Sequence, residues 1–165
     1  MPRPKRQPIR DATFDDPLRD YSEPTYDDTI QRALCESPIT DMKHQPFTAV
    51  EADTPVEQVV RKMVGMTIAC VVVTRNDKLV GIFSERDVLD KVADQYENVK
   101  DKPISSVMTS EPVAVRTTDT PAKALATMAV GGFRHVPILN VEEKVVGIVG
   151  PRRVNNYLFT NISDV

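Results

Sequence analysis

The chain has 165 residues, 41% hydrophobic and 27% charged, which is enough for one compact domain or two small ones. Its formal net charge of −3 gives no electrostatic footprint for nucleic acid or an anionic membrane, so neither is an expected partner. The sequence has no apolar run of the roughly 20 residues that span a bilayer and no secretory leader, so we expect a cytoplasmic protein.

The N-terminal segment, residues 1–29, combines many charges with frequent prolines. Basic residues dominate its first ten positions and acidic residues the following eighteen. Such a composition cannot bury enough apolar surface to offset the entropy lost on ordering. We therefore predict a disordered or extended charged tail over residues 1–29.

The rest of the chain contains an internal repeat. Residues 78–82 (KLVGI) return as residues 144–148 (KVVGI), a spacing of 66 residues. At the same spacing, residues 53–55 (DTP) return as residues 119–121, and Met42 with Pro46 returns as Met108 with Pro112. We therefore predict a tandem duplication with repeats over residues 30–97 and 98–165.

Each repeat is predicted to begin with a short strand, over residues 47–50 and 113–115, and to continue with a helix. In the first copy Thr54 is expected to cap this helix, with Pro55 at its first position and Glu57 completing a capping box. The apolar face of the helix is predicted to be Val56, Val59, Val60 and Met63. The second copy repeats that face as Ala122, Leu125, Ala126 and Ala129.

Two apolar strands and a last helix complete each repeat. The strands are predicted over residues 69–73 and 79–83, and over 136–139 and 145–149 in the second copy. The last helix begins at Ser84 in the first copy and near Pro151 in the second. Because these strands are apolar on both faces, both faces of each sheet should be covered. The predicted fold class is α/β with mixed sheets: two β-α-β-β-α units, packed sheet to sheet with pseudo-twofold symmetry, that share a core.

Two motifs in this order carry a family resemblance. Residues 81–87 (GIFSERD) and residues 134–137 (RHVP) resemble the CBS domain, the cystathionine-β-synthase-type repeat. Two such repeats in tandem resemble a Bateman module. The resemblance implies a regulatory module that binds an adenine nucleotide (AMP, ADP or ATP) in a cleft between the repeats and requires no cofactor. It also implies a homodimer that senses energy or metabolite state and modulates a partner protein, whose identity the sequence does not encode.

The residues of the first motif suit this ligand by their own chemistry. Ser84 follows a strand and opens a helix, where free backbone N–H groups and the helix dipole favour phosphate. Asp87 lies one turn further on, where its carboxylate can accept both ribose hydroxyls. The same Ser-x-x-Asp pattern also describes a plain helix cap, and this alternative stays open.

Basic residues of the second copy complete the predicted site. The resemblance puts Arg134 and His135 in the family's phosphate-facing position, and arginine is suited to bidentate phosphate contacts. Similarity to an unoccupied site in the gamma subunit of the AMP-activated protein kinase implies that Arg152 reaches the Asp87 site. Two alternatives stay open: Arg134 and His135 as a surface pair that caps a strand end, and Arg152 as part of a solvated helix start.

The two potential sites are not equivalent. At the 66-residue spacing, Ser84 and Asp87 correspond to Gly150 and Arg153. Arg134 and His135 then correspond to Ile68 and Ala69. The second site lacks the hydroxyl, the carboxylate and the basic pair, so we predict one nucleotide per chain.

The same residues are compatible with two other functions. Another adenosyl ligand, such as S-adenosylmethionine or a dinucleotide, would use the same cleft, and a ligand-free structural dimerisation module also remains possible.

An enzyme is not predicted, since GxxxxGK[ST], GxSxG and HExxH motifs are all missing. His44 and His135 are the only histidines, so no histidine-based metal cluster is expected. Asp87 is one turn from Ser84 and cannot orient His135 behind it, which argues against a catalytic triad.

Overall fold

The computed structural model describes residue 22, residues 25–26 and residues 28–162. The predicted charged tail, residues 1–29, therefore lies almost entirely outside the described residues. At the end of that segment, a side-chain oxygen of Asp28 accepts a 2.7 Å hydrogen bond from the backbone N–H of Ile30 and caps helix α1 (Thr29–Cys35). Within the described part of the chain, no helix is long and apolar enough to cross a membrane.

The first repeat contains a four-stranded mixed sheet. Its strands, in spatial order, are β1 (Ala49–Glu51), β2 (Cys70–Arg75), β3 (Lys78–Ser84) and β4 (Thr109–Ser110). β1 runs parallel to β2, and the other neighbours are antiparallel. Helix α2 (Val56–Met66) connects β1 to β2, and its predicted apolar face is confirmed, with Val56, Val59 and Met63 buried.

The second repeat has the same order of elements. Its sheet contains β5 (Val115–Arg116), β6 (Val136–Leu139) and β7 (Val145–Val149), again with a parallel and then an antiparallel pair. Helix α5 (Pro121–Gly131) connects β5 to β6, and α6 (Pro151–Ile162) follows β7. The predicted fold class, two mixed-sheet β-α-β-β-α repeats, is thereby confirmed.

A series of short helical turns joins the two repeats. Helix α3 (Glu85–Asp87) follows β3 and continues into a π-helical turn, Val88–Val92. A 3-10 turn, Ala93–Gln95, leads into α4 (Tyr96–Val99). Another 3-10 turn, Ile104–Ser106, precedes β4. The predicted boundary between residues 97 and 98 thus falls within α4.

The start of α2 differs from the predicted capping box. Pro55 is the N-cap residue, and neither Thr54 nor Glu57 provides a side-chain cap. The first two helical N–H groups instead donate, both at 2.9 Å, to the carbonyl oxygens of Lys102 and Lys100. Because the segment between the repeats supplies these acceptors, the helix start needs no side-chain cap.

The buried face of α5 lies one residue away from the prediction. Ala126 and Ala129 are exposed, whereas Ala124 is buried. Leu125 and Met128 pack against the core beside it. The buried positions of α5 are therefore 65 residues from those of α2, not 66.

One extra residue in the second hairpin explains the two spacings. In the first hairpin, Val73 pairs with Gly81 across a two-residue turn whose residues both have positive φ. In the second, Ile138 pairs with Gly147 across a turn of three residues, 141–143. Equivalent residues are thus 65 apart before the hairpin turn and 66 apart after it. Of the three repeated segments, only KLVGI lies after the start of the turn region and is truly 66 residues from its equivalent. The DTP segment and the Met–Pro pair lie before the turn, where equivalent residues are 65 apart.

Each repeat completes the core of the other. Ile39 and Met42 precede the first repeat's sheet, yet they are buried in the core of the second. Ile104 and Val107 precede the second repeat's sheet, yet they are buried in the core of the first. Instead of the predicted shared core there are two cores that exchange these crossing segments, residues 39–46 and 104–110. The repeat limits 30–97 and 98–165 stay predictions about folding units, and core packing does not follow them.

Glycine at two equivalent positions lets the crossing segments approach the sheets. A Cβ on Gly81 would overlap the thioether of Met108. A Cβ on Gly147 would lie 2.9 Å from the carbonyl oxygen of His44, which accepts the N–H of Ile148 at 3.2 Å. This close approach gives the KLVGI and KVVGI runs their glycines.

Alanine at Gly147 and at Gly65 should have opposite effects. Gly147→Ala is expected to lower the free energy of unfolding by about 1–3 kcal/mol, because the new methyl would lie 2.9 Å from the backbone carbonyl oxygen of His44, and the crossing segment must move to relieve this contact. Gly65→Ala, in α2 with nothing within 4 Å of the added methyl, is expected to raise it by about 0.5–1 kcal/mol. Urea denaturation of both variants measures the difference. Wild-type stability in Gly147→Ala would contradict the close approach.

Candidate functional site

The predicted site residues Ser84 and Asp87 lie at the junction of β3 and α3. Ser84 ends the strand in an extended conformation and is the N-cap of α3, which makes Asp87 the third helical residue. The backbone N–H and the hydroxyl of Ser84 both donate to Oδ2 of Asp87, each at 2.9 Å. The helix-capping interaction that the motif allows is therefore formed in this structure.

The other carboxylate oxygen of Asp87 has two further donors. The ammonium Nζ of Lys91 lies 2.7 Å from Oδ1, and the hydroxyl of Thr109 lies 2.8 Å from it. Lys91 also donates to the carbonyl oxygen of Met108 at 3.3 Å. The motif does not single out Lys91 or Thr109. The i,i+4 spacing from Asp87 is a signal for Lys91, whereas Thr109 depends on the crossing of residues 104–110.

Asp87 is both buried and ionised. Only 6% of the residue is exposed. Burial raises the pKa of its carboxyl group, but the hydrogen bonds from Lys91, Thr109 and Ser84 outweigh burial and hold the pKa below the usual 3.8. The neighbouring thiol of Cys70 responds differently, because burial and then the charge of Asp87 raise its pKa to about 12. Cys70 is therefore a neutral, unreactive thiol.

The second repeat places its loop before β6 against the start of α3. Arg86 donates from Nη1 to the carbonyl oxygen of Gly132 at 3.4 Å. Two residues further on, Arg134 is exposed and His135 is half-buried. The structure thus brings the loop that leads to the predicted basic pair to the start of α3, where it contacts Arg86.

His135 is uncharged at neutral pH. Burial lowers its pKa below the usual 6.5; the charge of Glu85 opposes this effect, and the charges of Arg134 and Arg153 add to it. The influence of Glu85, the first residue of α3, is a second sign that the two repeats meet here. A neutral imidazole still offers one N–H, so His135 can donate a hydrogen bond to an anion without carrying a charge itself.

His135 should make the protein less stable in mild acid. Since its pKa is lower in the folded protein than in the unfolded chain, the unfolded chain takes up the proton more readily. The stability that neutral His135 contributes to the folded protein is fully present above about pH 6.5. It is lost as the pH falls toward the lower pKa of the folded state. Between about pH 7.5 and 5.5, the thermal midpoint of the wild type should fall more steeply than that of His135→Gln. Equal slopes would contradict the lowered pKa.

The extra hairpin residue also changes the equivalents of the basic pair. Val71 and Val136 occupy the same ladder position, opposite Phe83 and Val149. Arg134 and His135 therefore correspond to Ala69 and Cys70, not to Ile68 and Ala69 as the 66-residue spacing predicts. Neither first-repeat equivalent is basic, so the conclusion that only the second repeat supplies this pair is unchanged.

Arg153 occupies the position equivalent to Asp87. Its Nη1 donates to the carbonyl oxygen of Ile148 at 2.6 Å, and its Nη2 donates to that of Pro46. Arg153 therefore holds the crossing segment 39–46 against β7. The neighbouring Arg152, in the first turn of α6, is exposed. The role of Arg152 at Asp87 stays a prediction.

Open cavities occur away from these residues. One of about 400 Å³ lies between the repeats and includes Lys78 and Glu143 in its lining. Another, of about 360 Å³, includes Asp53 and Arg75. Neither is lined by a predicted site residue. Because Asp87 is buried beneath its own donors, a ligand reaches its carboxylate only if a side chain moves, as is common on binding.

Comparisons with known proteins identify the repeats. The family model "CBS domain" matches residues 39–94 and 104–159. The CBS-domain containing protein ATU1752 from Agrobacterium tumefaciens is 27% identical, and the match covers 73% of this chain and 98% of that one with a TM-score of 0.65. The cytosolic domain of the Mg²⁺ channel MgtE, solved in complex with ATP, is also 27% identical, with 67% and 44% covered and a TM-score of 0.56.

A curated relative is much longer than this chain. The CBS domain-containing protein CBSCBSPB1 of Arabidopsis thaliana is 31% identical over 97 residues. The match covers 58% of this chain and 18% of the relative. The chain therefore spans less than a fifth of the length of that relative.

Proposed function

The chain belongs to the CBS-domain family and contains two of its repeats in tandem, and from that premise we propose that it is a regulatory module that binds an adenine nucleotide. In this proposal the first repeat holds the ribose through Asp87, whose carboxylate is oriented by two hydrogen bonds from Ser84, and Arg134, His135 and Arg152 hold the phosphates. One observation carries it: a buried, ionised Asp87 at a helix start that contacts the basic loop of the other repeat.

Ribose recognition follows from the charge of Asp87. A carboxylate accepts hydrogen bonds without donating any, so it can accept both hydroxyls of a vicinal diol. Hydrogen bonds to a charged group contribute about 1.5–3 kcal/mol each, roughly twice as much as neutral ones. The lowered pKa keeps Asp87 in this charged form throughout the neutral range.

Phosphate recognition requires donors that are not already used inside the protein. Arg134 is exposed, and its guanidinium can make two parallel hydrogen bonds to a phosphate. Arg153 is engaged with the carbonyl oxygens of Ile148 and Pro46, so it is not the residue we assign to the ligand. Since Arg153 also replaces the carboxylate of the second site, we propose one nucleotide per chain.

One relative solved with a ligand supports an adenine nucleotide. The MgtE cytosolic domain, 27% identical to this chain, is in complex with ATP. We propose AMP, ADP or ATP as a regulatory ligand that reports energy or metabolite state and modulates an unidentified partner protein. We further propose that the protein is a homodimer in the cytoplasm and that it catalyses no reaction. S-adenosylmethionine or a dinucleotide would use the same ribose contact.

A ligand-free structural dimerisation module is the second candidate. It is favoured by the complete internal hydrogen bonding of Asp87, which gives the residue a structural role at the end of β3. In this case Ser84 and Asp87 would only cap α3 and hold β4.

Calorimetric titration of the wild type with ATP, AMP and S-adenosylmethionine separates the two candidates. The nucleotide function predicts saturable binding of one ligand per chain, and mass spectrometry of ligand released from the purified protein identifies the physiological one. A stoichiometry of two would contradict the single site. If none of the three compounds gives a heat of binding or shifts the thermal midpoint, the nucleotide function is wrong and the structural dimerisation module is the remaining candidate.

A further inference from the structure

The carboxylate of Asp87 is saturated with hydrogen bonds. Its two oxygens have about four lone-pair positions. The backbone N–H and hydroxyl of Ser84 take those of Oδ2, and Lys91 and Thr109 take those of Oδ1. A ribose that donates two hydroxyls to Asp87 must therefore displace donors that are already bound.

The two oxygens differ in how readily their donors can leave. Oδ2 is bound by the N-cap residue itself, so releasing it disrupts the start of α3. Oδ1 is bound only by side-chain groups near the surface: Thr109 is exposed, and the side chain of Lys91 is 39% exposed. Lys91 also retains the carbonyl oxygen of Met108 as a partner. Displacement at Oδ1 is therefore the easier route.

Thr109 is more than a donor to Asp87, because it belongs to β4. This strand lies in the crossing segment 104–110, which leads from the first repeat to the second. β4 pairs with β3 through only two positions, Gly81 with Ser110 and Ile82 with Thr109. The hydroxyl of Thr109 adds a side-chain hydrogen bond to this short ladder, next to the backbone bond from Glu111 to Val80 and the bond from Lys91 to the carbonyl oxygen of Met108.

We infer that a ribose bound at Asp87 displaces Thr109 and Lys91 from Oδ1 and thereby loosens β4, so that ligand occupancy is coupled to the segment that links the two repeats. The inference rests on the proposed function. It also assigns a different behaviour to the other crossing segment, 39–46, which Arg153 holds through backbone carbonyl oxygens that no ligand at Asp87 displaces.

Amide hydrogen exchange with and without saturating ATP tests this coupling. The N–H of Glu111, which donates to the carbonyl oxygen of Val80, should exchange about tenfold faster with ATP bound. The N–H of Ile148, which donates to His44, should change by less than about twofold and serves as the internal control. Slower or unchanged exchange at Glu111 in the ATP complex would overturn the coupling.

The affinity of the Thr109→Val variant for ATP provides an independent test. In the wild type ATP must displace the Thr109 hydroxyl, whereas in the variant that hydrogen bond is already missing. By linkage, the variant should bind ATP about three- to tenfold more tightly. A threonine that contacted the ligand would give weaker binding instead. Thr118→Val, an exposed threonine in the turn before α5, is the matched control and should bind like the wild type.

The outcomes separate this inference from the proposed function. If ATP binds but Thr109→Val binds it equally or more weakly, the coupling is wrong and the nucleotide site stands. If neither ATP nor AMP binds the wild type, both fail together. Should Thr109→Val not fold, which its thermal midpoint without ligand reveals, hydrogen exchange of the wild type alone decides.

Discussion

Asp87→Asn is expected to weaken the binding of ATP or AMP by at least about 100-fold. The amide is uncharged, and its NH₂ group faces the ribose hydroxyls as a donor instead of an acceptor. This factor corresponds to a net loss of about 2.7 kcal/mol. That is less than the full value of two hydrogen bonds to a charged group, about 1.5–3 kcal/mol each, because the ribose must first displace Thr109 and Lys91. Isothermal titration calorimetry at neutral pH measures the change.

The same substitution also affects the ligand-free protein. Ser84, Thr109 and Lys91 lose a charged partner, so the free energy of unfolding should fall by about 1–3 kcal/mol. Asp119→Asn is a matched control, because Asp119 forms the same i,i+4 contact with Lys123, also at 2.7 Å. This control should bind nucleotide like the wild type. Wild-type affinity in folded Asp87→Asn would move the ligand to another site.

Ile104→Ala is expected to destabilise the first repeat, although residue 104 lies in the segment that leads to the second. Its side chain is fully buried in the first core, and removing such a side chain lowers the free energy of unfolding by about 2–5 kcal/mol. Ile39→Ala should have an effect of the same size on the second repeat. Urea denaturation gives the magnitude, and hydrogen exchange shows which sheet loses protection.

Val141→Ala serves as the control for both substitutions. Val141 lies in the second hairpin turn and is 82% exposed, so its truncation should change the stability by less than about 0.5 kcal/mol. The crossing of the two segments would be wrong if Ile104→Ala increased exchange in β6 and β7 while leaving β2 and β3 protected.

Local patterns are sufficient for much of the architecture. Val56, Val59 and Met63 follow the 3.6-residue period of a helix and form the buried face of α2. The period predicts this face because residues at that spacing lie on the same side of a helix. The turn at Asn76 and Asp77 has positive φ at both positions, which these two residue types tolerate. The motif around Ser84 and Asp87 likewise occurs at a strand end that becomes a helix.

Local patterns could not predict which residue of the first repeat is equivalent to which residue of the second. The DTP anchor has a spacing of 66 residues, but Pro55 is the N-cap of α2 and Pro121 is the first residue of α5. Spacing along a chain counts residues, whereas structural equivalence depends on which residues pair across a ladder. A single extra residue in a turn changes the first without disturbing the second.

By itself, the sequence determined the two repeats, the order of their elements and the strand-to-helix junction that carries Ser84 and Asp87, because each depends on neighbours along the chain. Only the tertiary structure decided that residues 39–46 and 104–110 complete opposite cores. It alone also brought Thr109 to Asp87 and left Arg153 holding Pro46. These contacts join residues 22 or more positions apart. They form only when residues 104–110 lie against β3 and residues 39–46 against β7, which no local pattern along the chain specifies.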